Sequence, residues 1–138
     1  MSVLYSRVKQ TITTGATPGQ KYLAKVFVPT KVNEQQVAQE ISDATSLTYG
    51  DCLNAIRSLC EIIMRYNRNS TRVKLGDLGT FSPAIHAKAK ATLDDVTDNT
   101  IKKVYTRFLP SVTLNKAMKS AGVRLRQADN KGYQDPHA

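Results

Sequence analysis

The chain has 138 residues, 41% of them hydrophobic, which is enough for one domain with a core plus an extension and too little for a second full domain. Twenty Lys and Arg against eleven Asp and Glu leave a net charge of +9, an excess that favours a polyanionic partner such as nucleic acid. No apolar run of about eighteen residues occurs, and the N-terminus, MSVLYSRVKQ, lacks a signal-peptide core, so a soluble intracellular protein with no membrane partner is expected.

In chain order, the first elements are two β segments, Val3 to Lys9 and Tyr22 to Val28, separated by TITTGATPGQ, whose glycines, proline and threonines are loop chemistry. They can form a hairpin. Val3, Tyr5 and Arg7 alternate with Leu4, Ser6 and Val8, and because both sets are mixed the pattern leaves open which face is buried. A helix starts at Asn33, with Gln36 completing a capping-box-like pair and Val37, Ile41 and Ala44 forming its apolar stripe. Thr48 caps a second helix, with Asp51 at the favourable third position and Cys52, Leu53, Ile56, Leu59, Cys60 and Ile63 at helical spacing. On a straight helix the two cysteines stand about 12 Å apart, too far to bond, and both are expected to be buried free thiols.

The second helix ends near YNRNS, and VKLGDLGTFSPAI, from Val73 to Ile85, then reads as a strand, a tight glycine turn and a strand. Gly76 and Gly79 supply the backbone freedom of the turn, and Asp77 can hydrogen-bond within it. Alternation runs on through Ile85, Ala87, Ala89 and Ala91, with His86, Lys88 and Lys90 on the opposite face. TLDDVTDNT is a polar, acidic tip, after which Ile101 to Phe108 returns as a strand carrying Lys102, Lys103, Tyr105 and Arg107. Two basic strands joined at a tip make an arm. Whether the two cationic sets face the same way depends on a register that the sequence leaves open. Ser111 caps a last helix bearing Leu114, Ala117 and Met118, Val123 to Arg126 reads as a short final strand, and DNKGYQDPHA is expected to be a disordered tail.

Catalytic material is scarce. No Gly-rich phosphate loop, G-x-S-x-G, H-E-x-x-H or C-x-x-C occurs, and His86 and His137 are the only histidines. A binding protein is expected, with no enzymatic activity, cofactor, metal or small-molecule substrate. Tyr105 beside Arg107 is read as sheet packing, since one aromatic makes no stacking platform for single strands.

The order helix, turn, helix, three-segment sheet with a protruding basic β-arm, short C-terminal helix resembles the bacterial HU/IHF-type histone-like DNA-binding proteins. SLTYGD (Ser46 to Asp51) is similar to that family's turn and cap, V-x-L-x-x-L-G-T-F (Val73 to Phe81) to its strand-turn-strand signature, and F-x-P-x-x-x-L (Phe108 to Leu114) to its run into the last helix. A variant HU-like group with an N-terminal extension, beginning M-x-V-x-Y and carrying V-K-L-G-D-L-G-T-F, is closest. The resemblance implies an α+β, HU/IHF-like fold in an intertwined dimer whose core takes Leu78, Phe81 and Phe108. It divides the chain into a β extension (1–30), an HU/IHF-like DNA-binding domain (31–127) and a disordered tail (128–138).

The function implied is sequence-tolerant binding of double-stranded DNA by a homodimeric, nucleoid-associated architectural protein of the bacterial cytoplasm. His86, Lys88, Lys90, Lys102, Lys103, Tyr105 and Arg107 form the DNA-binding set. Two departures from the family pattern bear on mechanism. The arm tip has Asp94, Asp95 and Asp98 and no intercalating proline, and Val112 and Asn115 stand where the family has phosphate-binding lysines. The alternative is a structural dimer that binds another protein by strand addition through the Val3 to Val28 region, with DNA binding weak or absent.

Overall fold

The computed structural model describes residues 2–16 and 19–126. It is α+β. Its elements are β1 (Val3–Ile12), β2 (Gly19–Val26), α1 (Glu34–Ala44), α2 (Tyr49–Arg68), β3 (Val73–Leu75), β4 (Gly79–Ala87), a 3-10 turn (Asp98–Thr100), β5 (Ile101–Pro110), α3 (Val112–Ser120) and β6 (Val123–Leu125). They divide into two units, Met1–Lys31 with Ala117–Ala138, and Val32–Lys116. The tail expected from residue 128 lies outside the described residues.

The first unit is a three-stranded sheet in the order β2-β1-β6. β1 and β2 form an antiparallel hairpin in register from Tyr5↔Val26 to Ile12↔Gly19, longer than the alternation alone suggests because the backbone ladder continues through the polar residues flanking the turn. β6 pairs with β1 in parallel, from Val3↔Val123 to Tyr5↔Leu125. The Val3 N–H donates to the Gly122 carbonyl at 3.0 Å, and the Arg126 N–H to the Tyr5 carbonyl at 3.0 Å. Register puts Arg7, Lys9, Ala24 and Tyr22 on one face and Ser6, Val8, Lys25 and Leu23 on the other. Val8 is buried while Arg7 and Lys9 are exposed, so the face carrying Val8 is the inner one.

The second unit begins with two capped helices. Asn33 Oδ1 accepts from the Gln36 N–H at 2.9 Å while Gln36 Oε1 accepts from the Asn33 N–H at 3.1 Å, closing a capping box on α1. Thr48 and Asp51 do the same for α2. Each box satisfies backbone donors that the first helical turn leaves open, which is why the two helices start where they do. Glu34 and Arg57 join α1 to α2 at 3.0 Å, an exposed pair of small energetic weight. Cys52 is buried as expected, whereas Cys60 is exposed. Eight residues at 3.6 per turn rotate a side chain by about 80°, which carries Cys60 off the line of Cys52.

The chain leaves α2 through Asn67, whose Nδ2 donates to the carbonyls of Thr71 at 3.2 Å and Phe81 at 3.4 Å and so ties the helix end to the sheet. The second sheet has the order β3-β4-β5. Gly76 (φ +44°) and Gly79 (φ +145°) frame the β3–β4 turn. A Cβ on Gly79 would collide with the Leu109 carbonyl oxygen and stand 2.8 Å from the Phe108 ring, so the close passage of β4 past β5 requires glycine here. Ser111 Oγ donates to the Asp77 carbonyl and accepts the Leu114 N–H at 3.0 Å, capping α3 and anchoring it to the same turn.

One strand ends earlier than the alternation predicts. β4 stops at Ala87, and Lys88 to Ala91 lie outside the sheet. A register shift lies just before that end: His86 pairs with Lys103 and Ala87 with Ile101, leaving Lys102 with no residue opposite.

Few apolar side chains find cover. Among the described residues Val8, Ala38 and Cys52 are the buried hydrophobic ones. Phe81 packs on Phe108 with ring centroids 4.8 Å apart, yet Phe108 is 40% exposed and Leu78 45%. The face they begin continues through Ile85 and Val104, exposed to 59% and 70%.

Candidate nucleic-acid interface

The cationic residues predicted on the arm are ordered by the β4–β5 ladder. In an antiparallel pair, residues directly opposite point to the same side. Ser82 lies opposite Arg107, Ala84 opposite Tyr105 and His86 opposite Lys103, so His86, Lys103, Tyr105 and Arg107 share one face. Phe81 opposite Phe108 and Ile85 opposite Val104 occupy the reverse. The hairpin is therefore two-sided, basic on one surface and apolar on the other, and every residue of β5 is exposed.

Local contacts spread this cationic face. Lys103 Nζ stands 5.2 Å from the centre of the Tyr105 ring, a cation–π distance that leaves the ammonium protons free on the other side. Lys102 sits at the register shift. Lys88 and Lys90 lie past the end of β4, where the Lys88 N–H donates to the Thr100 carbonyl at 2.9 Å and closes the base of the loop between the strands. Thr100 is buried, and its hydroxyl donates to the Thr97 carbonyl at 2.7 Å, which fixes the 3-10 turn at the foot of β5. The loop itself holds Asp94, Asp95 and Asp98, so acidic groups occupy the tip of the hairpin and basic groups its base and strands.

A second group of cations, which the alternation of β1 did not single out, lies in the first unit. Arg7 and Lys9 project from the outer face of β1, with Tyr22 opposite Lys9, and Lys21 and Lys25 line the edge strand β2. The sequence signal that marks them is the absence of carboxylates: the eleven Asp and Glu all fall between Glu34 and Asp98 or beyond residue 128.

No cluster of His, Cys, Asp or Glu among the described residues is placed to hold a metal ion, and no helix among them is long and apolar enough to cross a membrane. The arrangement offers charge, hydrogen-bond donors and flat surface. Such surfaces hold polyanions without base-specific geometry.

No curated protein matches the chain by sequence. Its fold is similar to the crystal structure of a candidate bacterial DNA-binding protein from Bacteroides vulgatus, with a TM-score of 0.64 at 10% identity, over 96% of this chain and 52% of that one. The chain thus spans about half the length of that protein. The sequence pattern of the HU-HIG family, HU domains fused to a wHTH, Ig or glycine-rich motif, matches residues 1–125, from before β1 to the end of β6, and the chain belongs to that family.

Proposed function

We propose that the protein binds duplex DNA through backbone phosphates, with little sequence preference, as a homodimeric architectural component of the bacterial nucleoid. It is a binding protein and not an enzyme. The observation that carries this reading is the β4–β5 register, which gathers His86, Lys103, Tyr105 and Arg107 on one exposed face. Lys88, Lys90 and Lys102 extend the set around the loop base. Membership of an HU family and the likeness to a candidate DNA-binding protein support the same conclusion. In this reading residues 31–127 form the HU/IHF-like DNA-binding part and 1–30 an added β segment.

The reverse face supports dimerisation. Leu78, Phe81, Phe108, Ile85 and Val104 make an apolar surface that a single chain leaves open, and a second copy laid on it would supply the missing core of an intertwined dimer. The acidic tip and the absence of a tip proline favour binding without intercalation.

The test is a salt titration of duplex binding by the wild type and by a variant with Lys88, Lys90, Lys103 and Arg107 replaced by Ala. Binding by the variant is expected to weaken on unrelated sequences alike, and its log–log salt slope to flatten by about 0.9 for each phosphate no longer neutralised. No duplex binding by the wild type at low salt overturns the reading in favour of a scaffold that pairs strands with another protein, whose affinity hardly changes with salt.

A further inference from the structure

The whole excess of positive charge sits in stretches of chain that contain no acid. Residues 1–33 hold Arg7, Lys9, Lys21, Lys25 and Lys31 without one Asp or Glu, and β6 adds Arg124. In the Val32–Lys116 unit, by contrast, cations share the surface with all the carboxylates from Glu34 to Asp98. The β2-β1-β6 sheet is therefore a surface of one charge sign among the described residues.

We propose that this sheet is a second DNA-contacting surface, in which Arg7, Lys9, Lys21 and Lys25 neutralise phosphates of the duplex backbone. The proposal rests on the DNA-binding reading above but is independent of the arm.

The single sign of these charges argues for a ligand over a merely solvated face. Lysines on an edge strand are a common defence against unwanted strand pairing, and this alone could explain Lys21 and Lys25 on β2. Arg7 and Lys9 lie beyond the Val3 to Tyr5 stretch that β6 covers, so the same defence can apply to them. What it does not account for is the absence of any carboxylate from residues 1–33, since charge of either sign protects an edge. Arg7 and Lys9 stand two residues apart on the outer face, about 7 Å along the strand. Among the described residues none of the four cations forms an ion pair, so the like charges on the two faces of this hairpin have no carboxylate partner there. Self-repulsion of this kind costs stability and is relieved by an anionic partner. A regular row of phosphates supplies one.

Tyr22 completes the surface. It lies opposite Lys9 on the same face and is 75% exposed, which leaves its phenol free to donate to a phosphate oxygen, while the long stems of Lys21 and Lys25 can carry their ammonium groups round the β2 edge to the same side. Charge complementarity selects duplex DNA as the occupant over an apolar peptide.

Two measurements test this. In the wild type, acetylation of Lys9, Lys21 and Lys25 by a water-soluble acylating reagent, read by mass spectrometry, should slow several-fold when saturating duplex DNA is added. A variant with Arg7, Lys9, Lys21 and Lys25 replaced by Ala removes as many charges as the arm variant and should flatten the salt slope by about 0.9 per phosphate released, with its melting temperature unchanged because all four side chains are exposed. Protection of the three lysines together with a flattened slope supports the second surface, whatever the arm variant does. Unprotected lysines and a wild-type slope in the sheet variant, beside a flattened slope in the arm variant, overturn the second surface and leave the arm reading standing. A flattened slope in the sheet variant beside a wild-type slope in the arm variant upholds the second surface and moves DNA binding off the arm.

Discussion

The two long hairpins, β1–β2 and β4–β5, solve different problems with the same backbone. β4–β5 separates its chemistry by face, basic on the side of Lys103 and Arg107 and apolar on the side of Phe81 and Phe108. β1–β2 places cations on both faces, Arg7 and Lys9 with Tyr22 on the outer one and Lys21 and Lys25 on the face of Val8 and Leu23. The first arrangement suits a strand pair that must bury one side against something apolar. The second suits a ribbon whose sides meet water or a polyanion. Carboxylates sharpen the contrast: the β4–β5 loop holds Asp94, Asp95 and Asp98, and β1–β2 holds none.

The largest expected effect comes from the apolar face of β4–β5. Phe108→Ala removes a ring that stacks on Phe81, and if a second copy covers that face the destabilisation should reach about 3–5 kcal/mol, the cost of emptying a core aromatic site. Chemical denaturation at two protein concentrations reads this, because a dimer's midpoint shifts with concentration. A small destabilisation, with a midpoint independent of concentration, would make the face a solvated one and erase its contrast with β1–β2.

The turn glycines probe the two hairpins next. Gly79→Ala drives a Cβ into the Leu109 carbonyl and the Phe108 ring at a positive φ, and should cost about 2–3 kcal/mol in thermal or urea unfolding. Gly15→Ala, at φ +114° with nothing within 4 Å, meets backbone strain alone and should cost about 1 kcal/mol. Equal costs would mean that the close β4–β5 approach at Gly79 does not persist in solution.

A smaller effect is expected at the acidic tip. Replacing Asp94, Asp95 and Asp98 by Asn removes repulsion toward phosphates and should tighten duplex binding by about threefold at low salt, with little change at high salt. Unchanged affinity would place the tip away from the DNA. Smallest in scale, Thr48→Ala should cost about 1 kcal/mol through removal of the α2 cap while leaving DNA affinity alone.

What the sequence made legible was local. Asn33 with Gln36 and Thr48 with Asp51 announce helix starts because a capping box closes within four residues, and Gly76 with Gly79 announces a turn because few residues adopt its backbone angles. Pairings between distant segments were not legible. Nothing in VRL names β1 as its parallel partner, and the shift at His86/Ala87 is set by both strands together, so the Ala87, Ala89, Ala91 alternation reads as strand where the sheet has ended. Cys60 failed for a simpler reason, a helical rotation too large for one narrow stripe. The arm cations were named residue by residue, but only the register shows which of them share a face. The cations of β1 and β2 do not stand out by alternation, and only the distribution of acids along the chain marks them.

The parallel pairing of β1 with β6 has a consequence for synthesis. Val3 cannot meet Val123 until the whole of the Val32–Lys116 unit has been made, so from a ribosome the first sheet to begin is the last to close. Until then Val3 to Tyr5 present an unsatisfied row of backbone donors and acceptors, the kind of edge that recruits stray strands. Arg7 and Lys9, just beyond the stretch that β6 will cover, put like charges on that edge, which disfavours pairing between nascent chains. The closing contact spans a large sequence separation and is entropically slow to form, which makes docking of β6 the expected late step in refolding.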